Sequence, residues 1–172
     1  MLSFVQAVLD KLRITMRAVR VCVVRYSVTA ELSIALTHID HHVQQLIGNL
    51  SYDGEKGSDL ASALAVTGSQ AFIGARSGAW RVVVVVTGHL LASSQLNAAV
   101  DDLTSADIEL IVVAVTGYGG VEVDTLRKIS SETRRVDDYD KLSDKTDEVV
   151  QYICDGRHSR GLQIPAARGK SS

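Results

Sequence analysis

Arg81-Val-Val-Val-Val-Val-Thr-Gly-His89 is the stretch that decides the fold. Five consecutive β-branched residues without polar alternation cannot form a strand with one face in water. They fit a central strand of a parallel sheet covered by helices on both sides. In such sheets ligands gather beyond the carboxyl ends of the strands, near the point where strand order reverses. The residue standing there is Gly88, which offers no side chain.

The same reading extends outward. Residues 108–115, apolar but for Glu109, read as another continuous strand, and residues 19–26 are a β-branched run that reads as a buried strand, with Cys22 inside it. Residues 29–36 alternate apolar and polar side chains, as an edge strand does. The short link at Ser27-Val28 predicts an antiparallel hairpin. Phe4, Val5, Val8, Leu9 and Leu12 recur at helical spacing over residues 3–14. Ile39, Val43, Leu46 and Ile47 form a second helix, closed by Gly48-Asn49. Ser58 is expected to cap a helix through Leu60, Ala63, Leu64 and Ala71, and Ser93 or Ser94 one carrying Leu96, Val100 and Leu103. Val123, Leu126 and Ile129 mark a further helix, residues 135–137 a short strand, and Leu142, Val149, Val150 and Ile153 the last helix. Strands separated by helices of this length predict an α/β fold: a doubly wound, mostly parallel sheet with helices on both faces. The expected domain is residues 1–154, followed by an aperiodic, basic, disordered tail at 155–172.

Composition agrees with one globular domain. The 172 residues are 46% hydrophobic and 22% charged, with net charge −2. No basic excess draws the chain to nucleic acid or an anionic membrane. No run approaches the roughly 18–20 apolar residues of a membrane span. The first residues lack the basic region and cleavage site of a signal peptide. Two cysteines, Cys22 and Cys154, are too few for a disulfide framework. Asn49-Leu50-Ser51 is a glycosylation sequon in an expected loop.

Several constellations invite a chemical reading. His38, His41 and His42 surround Asp40, and His38 and His42 stand four apart, as two metal ligands on a helix would. No third ligand is evident, so the segment reads as a solvated helix start. His89 lies at a strand's carboxyl end, but no nucleophile with an acid partner can be named for it. Gly117-Tyr118-Gly119-Gly120 has the setting of a phosphate loop, yet Glu122 occupies the third glycine position and would repel phosphate. A turn is the better account. Asp137, Asp138 and Asp140 read as an acidic helix cap, and Arg157, Arg160, Arg168 and Lys170 as a solvated tail.

Taken in order, these segments resemble the von Willebrand factor type A domain. Arg20-Val-Cys-Val-Val-Arg-Tyr-Ser27 resembles the family's R-V-G-V-V-Q-Y-S strand. Tyr52-Asp-Gly54 through Ser58 to Ala63-Leu64 is similar to its Y-x-G-G-x-T-x-T-G-x-A-L loop and helix, and residues 81–88 to its K-V-L-V-V-L-T-D-G strand. Leu126-Arg-Lys-Ile-Ser130, Val136-Asp-Asp-Tyr139, Leu142 and Ile153-Cys154 match its usual close.

The resemblance implies a divalent-cation site built from a D-x-S-x-S loop, a Thr and an Asp, since Mg²⁺ takes oxygen ligands in an octahedron. Here Met1 falls where the D-x-S-x-S should already have passed. Ser58 takes the Thr position and is the only liganding type retained, while Gly88 replaces the Asp. The expectation is therefore a degenerate site with no metal, no cofactor and no catalytic residue. The missing first strand would leave residues 19–26 and 82–87 as inner edges, adjacent or flanking a gap. The resemblance also implies a non-enzymatic adhesion module of a secreted, matrix-type protein, with partners such as collagen. Secreted relatives tie the position of Cys154 to a cysteine absent from this chain, so Cys154 is expected as a reactive thiol open to intermolecular pairing. A mid-strand Cys22 is too far from a helix exit to bridge it. The alternative is an intracellular Rossmann-like nucleotide-binding domain or enzyme. It is disfavoured by the lack of a glycine fingerprint and of a coherent catalytic set.

Overall fold

The computed structural model describes residues 1–50, 57–130 and 132–160. Its order is α1 (Leu2–Lys11), β1 (Val21–Tyr26), β2 (Ala30–Thr37), α2 (Asp40–Gly48), α3 (Leu60–Val66) running into a π turn (Thr67–Ala71), β3 (Arg81–Thr87), α4 (Ser94–Ser105), β4 (Ile108–Val115), α5 (Val123–Ile129), β5 (Glu132–Val136), a 3-10 segment (Tyr139–Lys145) and α6 (Thr146–Arg160). β3, β4 and β5 pair in parallel and in sequence order. β1 and β2 form a separate antiparallel hairpin with irregular register near Val23.

The valine runs behave as strands buried on two faces should. Val82, Val84 and Val86 pack with Phe4 and Val8 of α1 and with Val149 and Ile153 of α6. Val83 and Val85 pack on the opposite face with Leu64 of α3, Leu96 of α4 and Leu126 of α5. A third cluster joins Leu9 to Ile34, Val43 and Ile47 beneath the hairpin. Each such aliphatic side chain fully buried contributes about 1.5–3 kcal/mol. At the start of β3, Trp80 lies against Tyr152 of α6, ring centroids 5.8 Å apart, and the Tyr152 hydroxyl donates to Glu109 at 3.0 Å.

Several expectations are corrected. β3 is covered on both faces, but among the described residues its only ladder partner is β4, so the central strand of the parallel unit is β4. The cap of α3 is Asp59, whose carboxylate accepts from the Ser62 N–H at 3.0 Å, and not Ser58; a carboxylate at that end also suits the helix dipole. α2 begins at Asp40 from an extended Ile39, so His38 is not on a helix face with His42. β5 starts at Glu132, ahead of the expected 135, because Arg134 pairs with both Glu132 and Glu148 and hides a charged segment's strand character. Leu142 lies in the 3-10 segment rather than in the last helix. α6 runs on to Arg160, past the boundary drawn at 154, and contains Cys154 instead of ending before it. The rest of the expected tail, Arg168 and Lys170 included, lies outside the described residues. Among the described residues no helix is long and apolar enough to cross a membrane.

Candidate functional site

At the carboxyl ends of β3, β4 and β5 three loops interlock through their backbones. The Leu90 N–H donates to the Gly120 carbonyl at 2.6 Å, Glu122 N–H to Leu90 at 3.0 Å, and Gly117 N–H to Asp137 at 3.1 Å. A Cβ on Gly117 would lie 2.0 Å from the Asp137 oxygen, and one on Gly120 would lie 2.7 Å from the Gly88 oxygen. The glycines of residues 117–120 are thus a joint where backbones touch. Glu122 accepts from the Thr125 hydroxyl at 2.8 Å and the Ala92 N–H at 3.1 Å. Those bonds, Thr125's first, hold its carboxyl below the usual range. The loop is a turn, as its sequence suggested.

Gly88 sits under a tyrosine. A Cβ there would come within 2.1 Å of the Tyr139 hydroxyl and 3.0 Å of its Cζ, so the phenol fills the space a side chain at position 88 would need. Tyr139 stacks on Tyr118, centroids 5.8 Å apart. The Tyr118 hydroxyl donates to Asp138 at 3.0 Å, a bond that raises its pKa, and Tyr118 remains 63% exposed. Asp138 also accepts from the Asp140 N–H at 3.2 Å as cap of the 3-10 segment.

Around the end of β3 the hydroxyls are already engaged. Ser58 donates to the His89 carbonyl at 3.2 Å, and Thr87 donates to the same oxygen at 2.7 Å. Tyr26 reaches from β1 to donate to the Val86 carbonyl at 3.2 Å. Burial pushes the Tyr26 hydroxyl up, against the opposing pull of Thr87 and Ser58. Beside them an open cleft of about 190 Å³ is lined by Ser58, Asp59, His89, Leu90, Ser93 and Leu96. Among the described residues no three His, Cys, Asp or Glu side chains gather to hold a metal. One committed hydroxyl and a tyrosine-capped glycine do not fit a divalent cation, which wants several oxygens with at least one carboxylate.

The remaining nominated residues lie apart. His41 and His42 are exposed on α2, and the His89 side chain is exposed in its loop. Asn49 is exposed at the end of α2, while Ser51 of its sequon, like Tyr52-Asp-Gly54, lies outside the described residues. Cys22 and Cys154 are both free. Burial pushes the Cys22 thiol up to about 11, whereas Cys154 is exposed. Sequence reasoning missed Tyr139, Tyr118 and Tyr26 as members of the site. Their signal was present in hindsight, since a tyrosine follows Asp138 and another sits between two glycines, but nothing local says that the first reaches Gly88.

The family model for the von Willebrand factor type A domain matches residues 1–148. No curated protein sequence matches the chain. Among solved structures, proximal thread matrix protein 1 from the mussel byssus superposes with a TM-score of 0.78 at 16% identity, covering 90% of this chain and 42% of that one. One form of that protein has a zinc-occupied MIDAS motif. BatB from Bacteroides thetaiotaomicron gives 0.71 at 13% identity, covering 89% and 84%. Manganese-loaded TRAP from Plasmodium vivax gives 0.66 at 12% identity, covering 83% and 62%. The chain therefore spans less than half of the mussel protein and most of the bacterial one. Family model, strand order and the place of the loops agree: this chain belongs to the von Willebrand factor type A domain family.

Proposed function

We propose that this chain is a non-enzymatic protein-binding module of a matrix-type extracellular protein, engaging its partner at the carboxyl end of the sheet without a divalent cation. The observation that carries the reading is the Tyr139 phenol lying over Gly88, where a liganding carboxylate would have to stand. In place of a cation, that end offers a stacked and exposed aromatic pair beside Asp137, Asp138 and Asp140. Aromatic side chains of this kind anchor interfaces well, because they combine large apolar area with a polar tip. The mussel thread matrix protein supports a matrix setting, and the family resemblance makes collagen the first partner to try. Cys154, exposed on α6, is the thiol through which two molecules would pair, and Asn49 the position a glycan would occupy.

Binding to immobilised collagen, measured in millimolar Mg²⁺ and again in EDTA, tests the reading. Equal affinity in both is expected, with no shift in melting temperature on adding Mg²⁺, Mn²⁺ or Ca²⁺, since a ligand selective for the folded state raises its stability by mass action. Calorimetry showing micromolar Mg²⁺ affinity would overturn it.

A further inference from the structure

The charges of this chain are sorted along the direction of its strands. Residues 11–30 and 60–100 contain no Asp or Glu, although the whole chain carries a net charge of −2. Arg13, Arg17, Arg20, Arg76 and Arg81 from those spans gather at the amino end of the parallel unit. Arg76, in the loop before β3, donates to the Met16 and Ala18 carbonyls, and Arg20 donates to the Gly74 carbonyl at 3.1 Å. These bonds staple the loop of residues 12–20 to that of residues 72–80. Arg13 and Arg17 are exposed on the first loop, and Arg81 opens β3. Two large apolar side chains stand beside them, Met16 at 62% exposed and Ile73 at 73%. Arg20 Nε and Trp80 Nε1, both donors in this region, are buried without an acceptor among the described residues. This end is rich in donors and poor in acceptors.

The carboxyl end is its opposite. Residues 116–122 and 137–140 hold Glu122, Asp137, Asp138 and Asp140, with no Lys or Arg. Lys141, 3.5 Å from Asp137, offsets one of these charges and leaves the end negative. Asp137, Asp140, Tyr118 and Tyr139 are exposed there, as is Leu91 in the adjoining loop. β1 runs the same way as β3, since Arg20 before it reaches Gly74 and Tyr26 at its close reaches Val86. At about 3.3 Å per residue, β3 alone holds the two ends about 20 Å apart. No side chain spans that distance within one molecule.

We infer that the arginine-rich amino end of the sheet docks on the acidic, aromatic carboxyl end of a second copy, so that chains associate head to tail. The inference rests on the reading that the carboxyl end binds protein without a cation, and it names a partner for that end. A guanidinium stacks on an aromatic face and grips carboxylates with its planar fork. The carboxyl end offers both, in the Tyr118–Tyr139 stack and the exposed Asp137 and Asp140. Met16 and Ile73 supply apolar contact for the rings. A sulfated polysaccharide would satisfy the arginines and leave those two side chains uncovered. Two like ends repel each other, which disfavours a two-fold contact. A head-to-tail contact leaves one free end of each kind, so association continues past the dimer. Its ion pairs are exposed, which makes each weak and sensitive to salt.

Sedimentation equilibrium of the intact chain tests this, with reductant present so that Cys154 cannot pair. The weight-average mass should rise with concentration past twice the 18.5 kDa of the chain, and fall back at about 1 M salt, where the screening length is about 3 Å. Arg13→Glu with Arg17→Glu should stay monomeric, as should Asp137→Lys with Asp140→Lys. Mixed in equal amounts, the two variants should form a one-to-one complex, through the unaltered carboxyl end of the first and the unaltered amino end of the second. That complex also shows both variants to be folded. A monomeric wild type would overturn the inference, as would variants that associate like wild type or a mixture that stays monomeric. Mass levelling off at a dimer would assign a two-fold contact and overturn the head-to-tail arrangement. Monomeric wild type that binds heparin through Arg13 and Arg17 would give the basic end to a polyanion instead. Runs in Mg²⁺ and in EDTA separate the two proposals: association that requires Mg²⁺ would overturn both, whereas a monomeric chain that still binds collagen in EDTA would overturn the head-to-tail inference alone.

Discussion

Replacing Gly88 by alanine isolates the contact on which the cation-free reading rests. The added Cβ would stand 2.1 Å from the Tyr139 hydroxyl and 3.0 Å from Cζ, so the ring must withdraw by more than an ångström. Withdrawal costs part of the stack on Tyr118, about 0.5–1.5 kcal/mol, and forced overpacking is typically about 1–3 kcal/mol. Because Gly88 is not at positive φ, alanine also removes unfolded-chain entropy, which favours the variant by about 0.4–1 kcal/mol. The net expectation is a loss of about 1 kcal/mol, or about 2–4 °C in Tm for a chain of this size. Urea unfolding of a double-mutant cycle with Tyr139→Phe separates the terms. Tyr139→Phe alone should stay within about 0.5 kcal/mol of wild type. In that background Gly88→Ala should cost less by about 0.5–1 kcal/mol, since the entropy term is common to both backgrounds and cancels. A Gly88→Ala penalty that is the same in both backgrounds would refute the contact.

Four further outcomes are expected. Iodoacetamide at pH 8 should label Cys154 under native conditions and Cys22 only after unfolding, as mass spectrometry of the peptides would report, because the Cys22 thiol is held near 11 by burial. That same shift has a pH consequence. The folded state keeps the Cys22 proton where the unfolded chain has lost it, so stability should fall as pH rises from about 8.5 toward 11, and Cys22→Ala should flatten the decline in urea midpoints. Asp59→Ala should cost about 1 kcal/mol through loss of the α3 cap, and Ser58→Ala clearly less, as chemical denaturation would measure. Arg76 donates to the Met16 and Ala18 carbonyls, both at 2.6 Å, and Arg76→Ala should destabilise by about 1–2 kcal/mol, read from the same melts.

What was legible in the sequence was what a local pattern encodes. β4 occupies residues 108–115 as its run, apolar but for Glu109, required, and Ser93 caps α4 by accepting from Leu96 at 3.0 Å. The hairpin of β1 and β2 followed from two runs and a short link. Less visible was any choice between neighbouring candidates of equal local merit, such as Ser58 against Asp59 at the start of α3. β5 was hidden because its Glu-Thr-Arg-Arg segment carries charges whose partners lie 2 and 14 positions away. The resemblance led to position 88, where a glycine stands in place of the family's Asp. That a phenol from residue 139 covers it depends on how two loops meet in space, and no periodicity reports that.

The interrupted ladder bears on how the molecule can be watched. Its single tryptophan, Trp80, rests on Tyr152 and so senses whether α6 is docked against the parallel unit. The hairpin is linked to that unit by side-chain packing and loop contacts, with no shared ladder among the described residues, and its opening could leave the indole's surroundings intact. A smooth fluorescence transition would then describe half a molecule, and far-ultraviolet dichroism recorded beside it would reveal whether the hairpin and its flanking helices melt at the same denaturant concentration. An emission probe placed on β2, at the exposed Ala35, would give the silent half its own signal.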